Sequence, residues 1–178
     1  MSFFRQRFNN YKNIYEHHKS KAASYMISDI LALADPHYRL TGSKLPISLA
    51  MQDPDAYVKL KDSIIDIIEL TDDDKLQPAK ELIERYRGRK LYKRVAEQSI
   101  SKNIAWQQEL CQMDEEEIAQ NIVEISDIDM NLSRSDIIVD KMVMHFGMKE
   151  ENRKSEARLC CICTHLGSKL IVTLSLPL

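Results

Sequence analysis

The sequence predicts an α+β protein, mainly helical, with a small antiparallel β-sheet near its C-terminus. Two observations carry this. Apolar residues recur at three- and four-residue spacing through the first two-thirds of the chain, the period of a helix with one buried face. The last third is richer in Val, Ile and Met, and it carries a turn sequence between two apolar runs, as paired strands do. Only four glycines and five prolines punctuate the 178 residues, and no low-complexity stretch separates the parts. One packed unit is therefore expected, with a helical part over 1–105 and an α+β lobe over 106–178.

The elements follow in order. From Tyr15 to Ala34, the residues Met26, Ile27, Ile30, Leu31 and Leu33 mark one helical face. Asp35-Pro36 closes that helix, because a proline ring disfavours the α conformation in the residue before it. Thr41-Gly42 reads as a turn. Asp53-Pro54 opens a second helix: the Asp53 carboxylate accepts an orphan backbone N–H, and Pro54 has no N–H to leave unpaired. Tyr57, Leu60, Ile64, Ile67 and Ile68 predict its buried face. The acidic run Asp72-Asp73-Asp74 interrupts the pattern and places negative charge at the start of the next helix, where the dipole favours it. Leu76, Ala79, Leu82, Ile83 and Tyr86 are the inner stripe of that helix. Ile122 to Leu132 alternates loosely, and Ile137 to Phe146 predicts a strand. Leu159 to Thr164 and Lys169 to Leu174 flank His165-Leu166-Gly167-Ser168, which predicts a hairpin.

Composition excludes several functions. Hydrophobic residues are 44% and charged residues 29%, so the chain is globular. A net charge of −2 provides no global field for nucleic acid or an acidic membrane, and any anion site must be a local cluster. No apolar run approaches membrane-spanning length. The start, Met1-Ser-Phe-Phe-Arg, lacks a secretory signal, so four cysteines predict free thiols in a reducing compartment.

Four blocks occur in one order: Asp35 to Leu40 with Thr41-Gly42, Asp53 to Leu70, Glu81 to Glu97, and Asp136 to Met148. Within them stand Asp55-Ala56-Tyr57-Val58-Lys59-Leu60, Arg89-Lys90-Leu91-Tyr92-Lys93, Ile138-Val139-Asp140 and Phe146-Gly147-Met148. Together they resemble the animal family of SAM-and-HD-domain deoxynucleoside triphosphate triphosphohydrolases, from Arg7 to Asn152. The resemblance implies a fragment of an HD-domain phosphohydrolase that converts a dNTP to deoxynucleoside and triphosphate. It implies a divalent or transition metal (Zn, Fe, Mg or Mn) held by histidines and aspartates that include an adjacent His-Asp, and GTP or dGTP as activator. It further implies homotetramers and a nuclear location, with the cytoplasm as the alternative. None of His17, His18, His37, His145 and His165 is followed by aspartate. The metal ligands are therefore expected N-terminal to this chain, and the chain alone is expected to lack turnover.

The resemblance also implies site residues. Arg7 corresponds to a substrate-phosphate arginine and Tyr15 to a pocket tyrosine against the nucleoside, while Glu16 departs from the family's glutamine. Arg89 and Lys93 correspond to a basic pair gripping an allosteric guanine nucleotide; four residues apart, they share a face if they lie on a helix. His17 corresponds to one member of a His-Lys pair at a second allosteric nucleotide. Without the resemblance, the run Arg85, Arg87, Arg89, Lys90, Lys93 and Arg94, interleaved with Tyr86 and Tyr92, reads as a solvated basic face or a nucleic-acid patch. Cys160, Cys161 and Cys163 are redox candidates, the resemblance placing a reactive cysteine on the equivalent strand. Strand alternation also puts Cys161, Cys163 and His165 on one face, which leaves a zinc reading and a plain buried-cysteine reading open. Cys111 and Trp106 read as packing residues. A non-catalytic module binding nucleotide or single-stranded nucleic acid, or partnering full-length subunits, is the alternative function.

Overall fold

A computed structural model describes residues 3–40, 44–100, 112–125, 133–145 and 155–163. The chain divides into two compact units: Ala23–Leu91, and Met1–Ala22 together with Tyr92–Leu178. The boundary expected between residues 105 and 106 lies outside the described residues, as do Thr41-Gly42, Cys111, Trp106 and His165.

The unit Ala23–Leu91 is helical. Helix α2 (His18–Ala34) buries Met26, Ile30 and Ala34 completely, one residue per turn on one face. It stops at Asp35-Pro36 as expected, and the freed Asp35 carboxylate accepts the Ser48 amide and hydroxyl, both at 2.8 Å. A 3₁₀ turn (Ile47–Gln52) precedes α3 (Pro54–Lys59), where Asp53 Oδ1 accepts the Asp55 amide at 3.0 Å. The single helix expected from Asp53 to Leu70 is broken. Leu60 adopts extended geometry (ψ 100°), and the chain restarts as α4 (Ile64–Leu70). The break changes which residues face inward. Ala56, Ile64 and Ile68 are buried, whereas Tyr57 and Ile67, expected inside, are 60% and 44% exposed. Asp73 accepts the Lys75 amide at 2.9 Å and leads through a short 3₁₀ turn into α5 (Gln77–Arg87). That helix buries Ala79, Leu82 and Ile83, with Leu76 just before it, and each large aliphatic contributes about 1.5–3 kcal/mol.

The second unit is built on a sheet. Its strands are β1 (Lys93–Ile100), β2 (Ile137–His145) and β3 (Ser155–Cys163), in the order β1-β3-β2 and antiparallel throughout. The mainly helical class with a small antiparallel sheet is thus as the sequence predicts. β1 is the exception, since it lies in the stretch expected to be helical. The register slips between Arg94 and Ala96, and this bulge at Val95 breaks the period-two pattern. The second arm of the expected hairpin, Lys169–Leu174, lies outside the described residues. Both edges of β3 are already taken by β1 and β2.

The two faces of the sheet differ. Helix α6 (Glu115–Ile125), whose last turn overlaps the loosely alternating stretch that starts at Ile122, sets Ile118, Ala119 and Ile122 against Ile137 and Val139, with Ala96 and Met113 alongside. Lys141 Nζ donates to the Met113 carbonyl on that side. On the other face, Ile162 is fully buried and Asp140 pairs with Lys21. The N-terminal segment therefore meets the face opposite α6. It comprises α1 (Phe3–Asn10), a π-helical turn (Tyr11–Tyr15) and the first turn of α2. The Glu16 amide donates to the Tyr11 carbonyl at 2.9 Å, the i→i−5 bond that defines the π turn.

Candidate functional site

The basic run sorts into committed and uncommitted cations. Arg87 reaches Asp66 Oδ1 at 2.5 Å and Glu69 Oε2 at 2.7 Å, tying α5 to α4. Arg94 pairs with Glu97. Arg85 is partly buried. Arg89, Lys90 and Lys93 are exposed, and none has a side-chain hydrogen bond or ion pair among the described residues. Two of these three are the residues the sequence singled out.

Their geometry differs from expectation. Arg89 and Lys93 do not share a helix face. Helix α5 ends at Arg87, Arg89 follows the Gly88 cap in the left-handed region (φ 59°), and Lys93 opens β1. The Lys90 amide donates to the Arg85 carbonyl at 2.9 Å and the Arg89 amide to the Tyr86 carbonyl at 3.1 Å. These two bonds make a Schellman closure in which Arg89 occupies the position that glycine prefers. The chain's glycine stands one place early, and a Cβ added there would meet the Glu84 carbonyl at 3.2 Å. An arginine held in left-handed geometry costs about 1–2 kcal/mol. The i,i+4 spacing does not bring the two side chains to one face, because the closure turns the chain sharply after Gly88.

The remaining candidates lie in the sheet unit. Arg7 is exposed on α1, and Tyr15 is 66% exposed at the end of the π turn. His17 Nδ1 accepts the Lys19 amide at 3.3 Å, satisfying one orphan donor of α2. Its ring lies 4.2 Å from that of His18, tilted by 37°. Burial, then Arg94, His17 and Lys19, hold the His18 imidazole below its ordinary range. Glu16 is occupied internally. Lys21 Nζ stands 2.9 Å from Glu16 Oε2 and 3.4 Å from Asp140 Oδ2, and the carboxylates are 10% and 15% exposed. The Lys21–Glu16 contact is an ion pair without hydrogen-bond alignment at Oε2. The Tyr11 hydroxyl also bonds to Glu16, which raises its pKa. Nothing in the sequence pattern pointed to the Tyr11–Glu16–Lys21–Asp140 cluster, since its members are separated by up to a hundred residues or more of chain.

The register of β3 distinguishes the three cysteines. Cys160 stands between Glu97 and Asp140, Cys161 between Ala96 and Val139, and Cys163 between Lys93 and Ile137. Among the described residues, no three His, Cys, Asp or Glu side chains gather around a common point able to hold a metal ion.

The family described as HD associated region matches residues 2–159. The deoxynucleoside triphosphate triphosphohydrolase SAMHD1 of Homo sapiens is 30% identical over 161 residues, 89% of this chain and 26% of that protein. The Xenopus laevis protein of the same name is 29% identical over 154 residues, 85% of this chain and 24% of its own length. The SAMHD1 homolog of Dictyostelium discoideum is 28% identical over 156 residues, 87% and 27% respectively. The chain spans about a quarter of the length of these relatives.

Proposed function

The chain belongs to the HD-associated-region family, and from that premise we propose that it is the nucleotide-responsive part of a deoxynucleoside triphosphate triphosphohydrolase. In this reading it binds the polyphosphate of a guanine nucleotide and does not itself break the phosphate bond. The observation that carries the proposal is Arg89. It is exposed, without a side-chain partner among the described residues, and held in a conformation that costs stability. Backbone strain of that kind clusters at ligand and active sites. A guanidinium offers a planar fork to two phosphate oxygens, and the Lys93 ammonium adds a mobile point charge.

The metal implied by the family does not fit the described residues, which supply no set of three ligands. We therefore derive no hydrolytic step from this chain and assign that chemistry to the part of the relatives it does not span. Arg7 and Tyr15 then contribute to the substrate side, and His17 to a second nucleotide. The exposed Met51, Tyr57, Val58 and Leu70 suit association with further copies or with full-length subunits. We place the protein in the nucleus on family grounds. No described helix is long and apolar enough to cross a membrane.

Equilibrium dialysis against GTP, with a triphosphate-release assay on dGTP plus magnesium or manganese in the same sample, tests both halves. Binding without turnover is expected. Metal-dependent turnover that survives re-purification overturns the non-catalytic half, and absence of GTP binding overturns the nucleotide half.

A further inference from the structure

Between Lys61 and Lys75 the chain carries six acids, Asp62, Asp66, Glu69, Asp72, Asp73 and Asp74, and no base. Two hydroxyls, Ser63 and Thr71, stand in that stretch. Their surroundings differ. Ser63 has helical backbone geometry (φ −62°, ψ −7°) at the start of α4, and the Ile64 that follows it is buried. Thr71 closes α4 in extended geometry (φ −70°, ψ 124°) and is partly exposed. Asp72, Asp73 and Asp74 follow it directly. Asp73 is extended as well (φ −144°, ψ 120°), and Asp72 and Asp74 are exposed.

The acids do not make a cation site. Asp73 Oδ1 accepts the Lys75 amide at 2.9 Å, and among the described residues no three potential metal ligands gather around one point. The stretch offers instead a hydroxyl nucleophile on an extended surface segment, with negative charge on its C-terminal side. An enzyme cleft that takes a peptide in extended form and is lined by Lys and Arg is complementary to it. We propose that Thr71 is a phosphorylation site for an acidophilic protein kinase, with ATP as the phosphoryl donor. In the transfer the Thr71 hydroxyl loses its proton to a kinase carboxylate and Oγ1 bonds to the γ-phosphorus. The bond from that phosphorus to the bridging oxygen breaks as ADP leaves.

The product acts on α4. Thr71 Oγ1 donates to the Ile67 carbonyl at 2.7 Å across the last turn, and the phosphate ester keeps no hydrogen for that bond. The phosphate adds about −1.5 to −2 charges at the helix C-terminus, where the dipole is already negative, and beside three aspartates. The last turn of α4 is thereby loosened. The same helix carries Asp66 and Glu69, which hold Arg87 of α5. The inference does not rest on the guanine-nucleotide reading.

Casein kinase 2 with magnesium and ATP, acting on the whole folded chain, tests it. One phosphate at Thr71, located by tandem mass spectrometry, is expected. Thr71→Ser keeps a hydroxyl and should still be modified, whereas Thr71→Val should not. Asp72→Asn combined with Asp74→Asn should slow the transfer about tenfold or more, as the loss of charge-assisted contacts does, while Asp62→Asn should leave its rate unchanged. The phosphorylated chain should melt about 2–4 °C below the unmodified one. Transfer at Ser63 in place of Thr71, transfer only to the heat-unfolded chain, an unchanged rate in the Asp72/Asp74 variant, or an unchanged melting temperature at full phosphorylation overturns the inference.

Discussion

Replacing Arg89 by glycine should make the protein more stable and less able to bind GTP. The perturbation acts on two separable properties of one residue. Arg89 has φ 59° at the closing position of α5. Left-handed geometry costs a residue with a Cβ about 1–2 kcal/mol, and glycine avoids that cost. Glycine in turn loses more freedom on folding, about 0.5–1 kcal/mol. The net gain for Arg89→Gly is about 0.5–1 kcal/mol. Because Arg89 has no side-chain partner among the described residues, no lost contact enters the comparison. For a chain of this length, each kcal/mol moves Tm by about 2–4 °C, so a rise of about 1–4 °C is expected. Arg89→Ala keeps the left-handed penalty and should not gain. A charge-assisted hydrogen bond to phosphate contributes about 1.5–3 kcal/mol, so both variants should bind GTP about tenfold more weakly or worse. Differential scanning fluorimetry with and without GTP reads both effects. If Arg89→Gly is no more stable than Arg89→Ala, the conformational argument is wrong. If both bind GTP like the parent, Arg89 is an ordinary surface cation.

Three further outcomes follow from the sheet unit. Lys21→Met leaves Glu16 and Asp140 without their shared cation and should cost about 1–3 kcal/mol, less than a fully buried pair because Lys21 is partly exposed; Asp140→Asn in the same chain should recover part of it, and an unchanged urea midpoint for Lys21→Met contradicts this. His18 is held below the ordinary imidazole range by burial first, and then by Arg94, His17 and Lys19. Its neutral form therefore favours the fold: the contribution is present above about pH 6.5 and lost as pH falls from there through the folded value, and His18→Gln should flatten that slope in melts across pH. Ile162 is fully buried on the central strand, and Ile162→Ala should cost about 2–5 kcal/mol in denaturant titration, a cost below about 1 kcal/mol speaking against the register.

Much of the helical part was legible from local chemistry. Asp35-Pro36 stops α2 and Asp53-Pro54 starts α3, because a proline acts on the residue beside it and the Asp53 carboxylate caps an amide two residues on. The break at Leu60 was not legible, since Tyr57, Leu60, Ile64 and Ile67 continue a helical period across it. β1 was hidden by the bulge at Val95 and by the charged residues at its start, which blur alternation. Of the site, residue identities could be read and geometry could not. The Arg89–Lys93 spacing suggested one helix face, but the bonds that close α5 are backbone contacts whose signature, glycine just past the helix end, is displaced here by one residue. The Lys21–Asp140 pair joins residues far apart in sequence, and only the fold brings them together.

The central claim is that Arg89, uncommitted among the described residues, grips polyphosphate, whereas Arg87 and Arg94 are tied to carboxylates of the fold and Arg85 is partly buried. Calorimetric titration of GTP into the parent chain, Arg89→Ala and Arg85→Ala at one salt concentration tests it most directly. The account predicts that Arg89→Ala raises Kd about tenfold or more while Arg85→Ala changes it far less. Equal losses in both variants, or no loss in Arg89→Ala, would contradict it.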